Sequence, residues 1–188
     1  MDQRAVNAAE TRDRILYATM ELHATQGVMA TSHKDVAARA DVSVGTVYHH
    51  FPTTEQLVGA CGAKIFAMFP PPPASVIDAS AAFATRIRQL TNALVAFCQQ
   101  MPGFTLARAD RGKLPVLDEN IRCFENAIDA LIRRALGTRS RRRNAVAVVA
   151  ALLDFGVVER LAAAGMPAPE IAATLASITI AWMKGRTT

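Results

Sequence analysis

The chain has 188 residues, of which 51% are hydrophobic, and this is enough for a sizeable buried core. Aromatic residues make up only 6% and alanine is abundant, a composition that disfavours a β-sandwich or β-barrel and favours closely packed helices. The net charge of +5 does not by itself indicate a nucleic-acid partner, because residues 1–69 carry seven acidic and six basic side chains and the excess lies in residues 70–188.

Targeting and cysteine patterns point to a cytoplasmic protein. The first ten residues, MDQRAVNAAE, lack the apolar core of a secretory signal. The longest apolar stretch, residues 145–158, contains Asp154 and is shorter than the ~20 residues that span a bilayer. Cys61, Cys98 and Cys123 lack metal-ligand spacing and lie in apolar helical patterns, which predicts buried, reduced thiols. We expect no membrane span, no metal site and no cofactor.

Apolar residues at helical spacing predict four helices in residues 1–69. The first ends at Gly27, since glycine readily adopts the left-handed conformation that closes a helix. The other three begin at hydroxyl-bearing N-cap residues, and the last of them runs to about residue 69. The cap candidates are Thr31 and Ser32 for the second helix, Ser43 for the third and Thr53 for the fourth.

A run of four prolines, Pro70–Pro73, is the best candidate for a domain boundary. Proline cannot continue a helix, and four in a row predict an extended polyproline II segment of about 12 Å. The run is interpreted either as a plain helix-stopping loop or as a mechanical spacer. We therefore divide the chain into a helix-turn-helix domain at 1–52, a connecting helix at 53–69 and a larger domain at 70–188.

The larger domain is also predicted to be helical, so the expected fold class is all-α. Apolar stripes at 83–101 and 117–135 predict two helices separated by a broken segment. A single long helix is expected from about 140 to 164, and the last helix begins near Pro167 or Pro169. The arginine-rich run Arg139–Arg143 is interpreted as a solvated loop or as an anion-binding patch.

Residues 32–51, SHKDVAARADVSVGTVYHHF, fit a helix-turn-helix position by position. Ala37 is small where the two helices cross, and Asp41 occupies a tight turn because aspartate tolerates the left-handed conformation. The helix after Ser43 has the size and polarity to enter a DNA major groove. A helical hairpin without a DNA role is the alternative interpretation. His49 and His50 point about 100° apart on a helix, which disfavours a metal site.

The stretch from Thr11 to Leu57 closely resembles the TetR family of bacterial regulators, through ILYATMELHATQG and then VAARADVSVGTVYHHFPTTEQL. The resemblance covers the first third of the chain and implies a homodimeric repressor that binds a double-stranded operator. The family usually places a phosphate-binding lysine where this chain has Thr54, so that contact is weakened or lost. The DNA contacts implied by the resemblance are Thr31, Ser32, Ser43, Val44, Gly45, Thr46, Tyr48, His49, His50 and Thr54.

The same resemblance implies that the C-terminal helical bundle dimerises through its last two helices and holds a small, mainly apolar effector. The interface residues expected on those helices are Val157, Leu175, Ile178 and Trp182. The candidate pocket walls are aromatic and neighbouring side chains of the broken segment and of the helices that flank it. The alternative is that they are core residues, as apolar residues at helical spacing usually are. These candidates are Phe83, Phe97, Met101, Phe104, Arg108 and Phe124.

Two other classes of function stay open at this point. An enzyme on a helical scaffold is disfavoured because the sequence has no glycine-rich phosphate loop, no GxSxG and no HExxH. A DNA-binding regulator that responds to no small molecule cannot be distinguished by sequence from a ligand-responsive one. We expect a transcriptional regulator and not an enzyme.

Overall fold

A computed structural model describes residues 3–185, and every regular element in this range is helical, which confirms the predicted all-α class. None of the helices in that range is both long and apolar enough to cross a membrane. The α-helices are α1 (Gln3–Gln26), α2 (His33–Ala40), α3 (Val44–His50), α4 (Thr54–Met68), α5 (Phe83–Gln99), α6 (Phe104–Ala109), α7 (Pro115–Leu136), α8 (Ala145–Leu152), α9 (Phe155–Ala163) and α10 (Ala168–Lys184).

The chain forms two compact units. The first comprises the residues up to Pro70 together with Gly103–Arg122, and the second comprises Pro71–Pro102 together with the residues from Cys123 onward. One unit therefore ends at the proline run, where the sequence placed a boundary. Residues 103–122, assigned by sequence to the larger domain, pack with the N-terminal unit, and the division into functional domains stays a prediction.

The core of the first unit forms where α1 packs against α2 and α4, and α2 packs against α3. Its fully buried side chains come from the apolar stripes of these four helices, and they include Ile15, Leu16, Val36, Ala37, Val47 and Leu57. A smaller cluster joins the returning segment to this unit, since Val28 and Val58 pack with Leu114, Leu117 and Ile121.

The predicted caps of the helix-turn-helix are confirmed. The Ser32 side chain accepts a hydrogen bond from the Asp35 backbone N–H, and the Asp35 side chain accepts one from the Ser32 backbone. Thr53 caps α4 by accepting from the backbone N–H of Gln56 at 3.2 Å. Asp41 ends α2 in the left-handed conformation, with φ 52° and ψ 55°. The Ser32 side chain thus caps the start of α2, and the backbone N–H of Asp41 closes its end by donating to the carbonyl oxygens of Ala37 and Ala38.

In the second unit, α5 packs against α9 and α10, and α10 also contacts α8 and α9. The chain reaches α5 through the proline run and a short 3-10 turn at Ala74–Val76. Pro73 has φ −69° and ψ 154°, the values of the expected polyproline II conformation. The core is built from buried residues of the packed helices, including Ile87, Leu90, Leu94, Leu131, Ile171 and Leu175.

The prediction of one long helix over 140–164 is wrong. A 3-10 turn occupies Gly137–Arg141, α8 begins only after Asn144 in the left-handed conformation, and the chain breaks again at Leu153. Asp154 then caps α9, because its Oδ1 accepts from the backbone N–H of Gly156 at 2.9 Å. The continuous apolar pattern concealed this cap, whose local hydrogen bond competes with helix continuation.

The arginine-rich run makes structural contacts within the second unit. Arg142 Nη1 donates to the backbone oxygen of Met183 at 2.8 Å, near the end of α10, where helix carbonyls lack intrahelical partners. The Arg139 guanidinium lies 4.2 Å from the centroid of the Phe83 ring, within the range of a cation–π contact. These two contacts favour a structural role for the run over an anion-binding patch.

The expectation of three buried cysteines holds for Cys61 and Cys98 but is wrong for Cys123, which is exposed. Cys123 precedes Phe124, which is buried. Adjacent residues on a helix point about 100° apart. Cys123 therefore falls outside the apolar stripe that its neighbour occupies.

Candidate nucleic-acid interface

The short helix α3 has one inner side chain and an outward face. Val47 is fully buried and anchors the helix to the core of the first unit. On the other side, Val44 is 39% exposed and Tyr48 is 50% exposed, while Gly45 and His49 are also exposed. Such a helix, fixed on one side and open on the other, has the geometry of a recognition helix.

Four of the hydroxyl groups among the predicted DNA contacts have hydrogen-bond partners within the chain. Thr31 Oγ1 donates to a loop carbonyl at 2.8 Å, and Ser32 Oγ donates to Asp35 Oδ2 at 2.6 Å. Ser43 Oγ lies 2.8 Å from Thr46 Oγ1, and one of the two donates to the other. These hydrogen bonds hold the starts of α2 and α3 in place.

Tyr48 is backed by a buried histidine. His33, the first residue of α2, is 9% exposed, and its ring stacks on the Tyr48 ring with centroids 4.5 Å apart and planes 7° apart. His33 Nε2 lies 3.0 Å from the backbone oxygen of Phe51. The sequence alone does not reveal these contacts, because the partners of His33 lie on the neighbouring helix and at its end.

The two histidines at the end of α3 differ in environment. His49 is exposed and His50 is half-buried, with their rings edge to face at a centroid distance of 5.4 Å. Burial lowers the pKa of His50, and the charges of His49 and Arg12 lower it further. His50 is therefore mostly neutral at pH 7 and offers a hydrogen-bonding group rather than a cation. Within residues 3–185, no group of three or more His, Cys, Asp or Glu side chains is arranged to hold a metal ion.

The position where the family usually has a lysine is the first residue of α4. Thr54 is half-buried there and carries no charge. Lys34, which the sequence interpretation left out, is exposed in the first turn of α2 next to Ser32. An exposed cation is therefore present in the first turn of α2, whereas position 54 at the start of α4 carries none.

Within the first unit, a buried polar pair joins α1 to α4. His23 is 6% exposed, and its Nδ1 lies 3.7 Å from Cys61 Sγ. Burial lowers the pKa of His23 to about 4, opposed in part by the carboxylate of Asp110. Burial also raises the pKa of the Cys61 thiol to about 12. Both groups are uncharged at neutral pH, which indicates a core contact rather than a reactive site.

We expect the free energy of unfolding to fall as the pH drops from 6.5 to about 4. In this window the unfolded chain protonates His23, whose ordinary pKa is 6.5, while the folded chain keeps it neutral. Acid therefore favours the unfolded state. Urea unfolding across the window should give a shallower pH dependence for His23→Leu than for the wild type. Equal slopes in the two proteins would contradict this assignment.

The candidate pocket residues do not all lie in one unit. Phe83, Phe97, Met101 and Phe124 belong to the second unit, whereas Phe104 and Arg108 belong to the first. The Phe97 ring lies 6.1 Å from that of Phe124 and 5.8 Å from that of Phe155 by centroid distance. These are the contacts of a packed aromatic core, and a ligand pocket at these residues stays a prediction.

One of the predicted interface residues, Leu175, is buried rather than exposed. Leu175 is only 2% exposed and belongs to the core of the second unit, so its assignment to a dimer surface is wrong. The 3.6-residue period of α10 directs it inward, whereas Ile178, three residues on, is 45% exposed. Val157 and Trp182 are half-buried.

Comparison with known proteins matches residues 15–61 to the family model for bacterial regulatory proteins of the tetR family. An HTH-type transcriptional repressor of Mycobacterium tuberculosis is 49% identical over 51 residues, which are 27% of this chain and 27% of that protein. The HTH-type transcriptional repressor KstR of Rhodococcus jostii is 44% identical over 57 residues, 30% of this chain and 27% of its own length. These matches span about a quarter of each relative.

The fold is similar over a much longer range. A TetR-like transcriptional regulator from Rhodococcus sp. RHA1 superposes with a TM-score of 0.71 at 15% identity, covering 94% of this chain and 97% of that one. At this identity the likeness concerns the fold alone. The match to the tetR family model therefore covers the helix-turn-helix segment at residues 15–61, and over most of its length the chain shares the fold of a TetR-like regulator.

Proposed function

We propose that the protein is a sequence-specific DNA-binding transcriptional regulator: a homodimeric repressor that leaves a palindromic operator when a small, mainly apolar ligand binds. The observation that carries DNA binding is the outward face of α3, which presents the half-exposed Tyr48 while Val47 anchors the helix inside. The proposal makes the protein a regulator and not an enzyme, and places it in the cytoplasm, where its operator lies.

In this proposal α3 lies in the major groove and α2 crosses the backbone. Tyr48 and His49 face base edges, and Val44 meets an apolar edge such as a thymine methyl. The capped starts of α2 and α3, with Ser32 and Ser43, lie close to phosphates and set the register. The remaining predicted contacts, Gly45 and Thr46 on α3 and His50 and Thr54 after it, border this surface and are part of the proposal.

Dimerisation is proposed through the outer face of α10, together with the partly exposed Val157 and Trp182. Ile178 is the most exposed large apolar side chain on this helix, at 45%. Its neighbours one turn away, Thr174 and Ala181, are small or polar residues that let a second helix approach. A two-fold dimer of this kind presents two copies of α3 to two half-sites about one turn of DNA apart.

We expect Ile178→Arg to convert the dimer to a monomer, because the charge would be buried without a partner in the interface. Sedimentation velocity measures the change directly. Leu106→Arg is the matched control, since Leu106 is also 45% exposed but lies on α6; it should leave the assembly unchanged. A wild-type dimer in the Ile178→Arg sample would contradict the proposed interface.

For the effector, the proposal rests on the apolar core of the second unit. A ligand entering beside Phe97 would have to separate this ring from Phe124 or Phe155, and binding would then favour a second conformation of the unit. A thermal shift screen against apolar metabolites tests this, because a ligand selective for the native state raises the melting temperature. The alternative, a regulator without an effector, predicts no selective shift.

DNA recognition itself is tested by selection from a random duplex library with the full-length protein. The proposal expects enrichment of one palindromic sequence and tight binding to it in a mobility-shift assay. A scrambled duplex of the same composition should bind more weakly by about a thousandfold or more, the usual margin of specific over non-specific binding. A folded protein that enriches no sequence would overturn the proposed function.

A further inference from the structure

His33 connects the two helices of the helix-turn-helix at the ends opposite their turn. The turn at Asp41 joins the end of α2 to the start of α3. His33 begins α2, and its Nε2 lies 3.0 Å from the carbonyl oxygen of Phe51, the residue that ends α3. Because a carbonyl oxygen only accepts, this ring nitrogen carries the proton and donates it. The pair of helices is thereby closed at both ends.

The same ring covers one face of Tyr48. The two ring planes are 7° apart at a centroid distance of 4.5 Å, so they are stacked in parallel. His33 is 9% exposed whereas Tyr48 is 50% exposed, which makes the histidine the buried support and the tyrosine the presented group. Without a support, a half-exposed tyrosine on a helix exchanges between rotamers, and ordering it on binding costs free energy.

We propose that His33 is a positioning residue for Tyr48, holding the tyrosine ring in one orientation and thereby setting how strictly the protein discriminates its operator. The inference rests on the proposed function. It assigns to His33 no contact with DNA: the histidine acts through the ring that it stacks on. The hydrogen bond to Phe51 fixes the histidine, and the stack passes this fixed orientation to Tyr48.

Three variants separate the two interactions. His33→Leu removes the stack and the donor, His33→Phe keeps an aromatic face without the donor, and His33→Gln keeps a donor without the ring. The measured quantity is the ratio of affinities for the selected operator and for a scrambled duplex of the same composition. We expect this affinity ratio to be highest in the wild type, lower in His33→Phe, and lowest in His33→Gln and His33→Leu. For His33→Leu the ratio should fall by about 2- to 12-fold per half-site, which is the range of one aromatic pair.

A double-mutant cycle with Tyr48→Ala distinguishes positioning from stability. If His33 acts through Tyr48, then His33→Leu should change the affinity ratio much less when Tyr48 is already alanine. A purely structural role would lower the melting temperature while leaving the ratio unchanged. An unchanged ratio in folded His33→Leu, or an equal loss in the Tyr48→Ala background, would overturn the inference while leaving the proposed function intact.

A measurement without DNA completes the test. The chain has two tyrosines, and with ¹³C-labelled tyrosine the ring signals of Tyr17 and Tyr48 can be followed separately. We expect His33→Leu to shift and average the Tyr48 ring signals and to leave those of Tyr17 unchanged. Unaltered Tyr48 signals would overturn the inference. A wild-type protein that selects no DNA sequence would overturn the proposed function, and with it the role of Tyr48 in recognition.

Discussion

Replacing Tyr48 by alanine is expected to weaken operator binding by roughly 1–3 kcal/mol per half-site, and by about twice that in a dimer that uses two half-sites. The ring is 50% exposed on the outward face of α3, so its hydroxyl can reach a phosphate or a base edge and its free ring face can pack on a thymine methyl. The alanine variant loses both contacts. Mobility-shift titration with the selected operator measures the loss, and sedimentation checks that the dimer is intact.

The chain offers a matched control in its other tyrosine. Tyr17 lies on α1 and is 45% exposed, so Tyr17→Ala removes a side chain of the same size and similar exposure from outside the proposed interface. It should leave operator affinity within a factor of about two. Tyr48→Phe keeps the ring that stacks on His33 and removes only the hydroxyl, so its affinity should lie between those of the wild type and the alanine variant. Undiminished affinity in a folded Tyr48→Ala dimer would show that another face reads the DNA.

The parts of the fold that the sequence predicted are those fixed by local interactions. The capping box joins Ser32 to Asp35, three positions on, and the left-handed Asp41 donates its backbone N–H to carbonyl oxygens three and four residues earlier. Signals of this kind can be recognised from a few neighbouring residues in the sequence. The outward Tyr48 and the inward Val47 on α3 likewise agree with the 100° turn between adjacent helical residues.

The parts that the sequence did not predict depend on partners distant along the chain. The stack of His33 on Tyr48 joins two helices, and the burial of Leu175 depends on how α10 packs against α5. A helix with apolar residues on several faces does not reveal which face meets its own core and which meets a second copy. Asp154 is the exception: its cap is local, but the apolar run around it concealed the signal.

Residues 103–122 illustrate the same limit, because the sequence indicated only a broken segment. In the structure α6 packs against α1, and Asp110 Oδ2 accepts a hydrogen bond from the backbone N–H of Met29 at 2.9 Å. Gly103, which has no side chain, allows α6 to approach α1 this closely. It has φ 78°, and a Cβ atom at this position would lie 2.1 Å from the carbonyl oxygen of Ala24 on α1.

We therefore expect Gly103→Ala to destabilise the protein by about 4 kcal/mol or more, which is exceptional for one methyl group. Two costs add: the left-handed conformation costs a residue with a Cβ about 1–2 kcal/mol, and the methyl group would overlap the α1 backbone, which cannot rotate away as a side chain can. Chemical unfolding of the full-length protein measures the sum.

Gly112→Ala separates these two costs. Gly112 also has a positive φ, of 83°, but a Cβ there would meet nothing within 4 Å. Its alanine variant should therefore lose only the conformational part, about 1–2 kcal/mol. If the Gly103 variant instead relieves the overlap by moving α6 away from α1, amide exchange should accelerate in α6 and in the last turns of α1, with no such change in the Gly112 variant. Equal losses of stability and unchanged exchange in both variants would mean that α6 does not approach α1 as closely as this geometry requires.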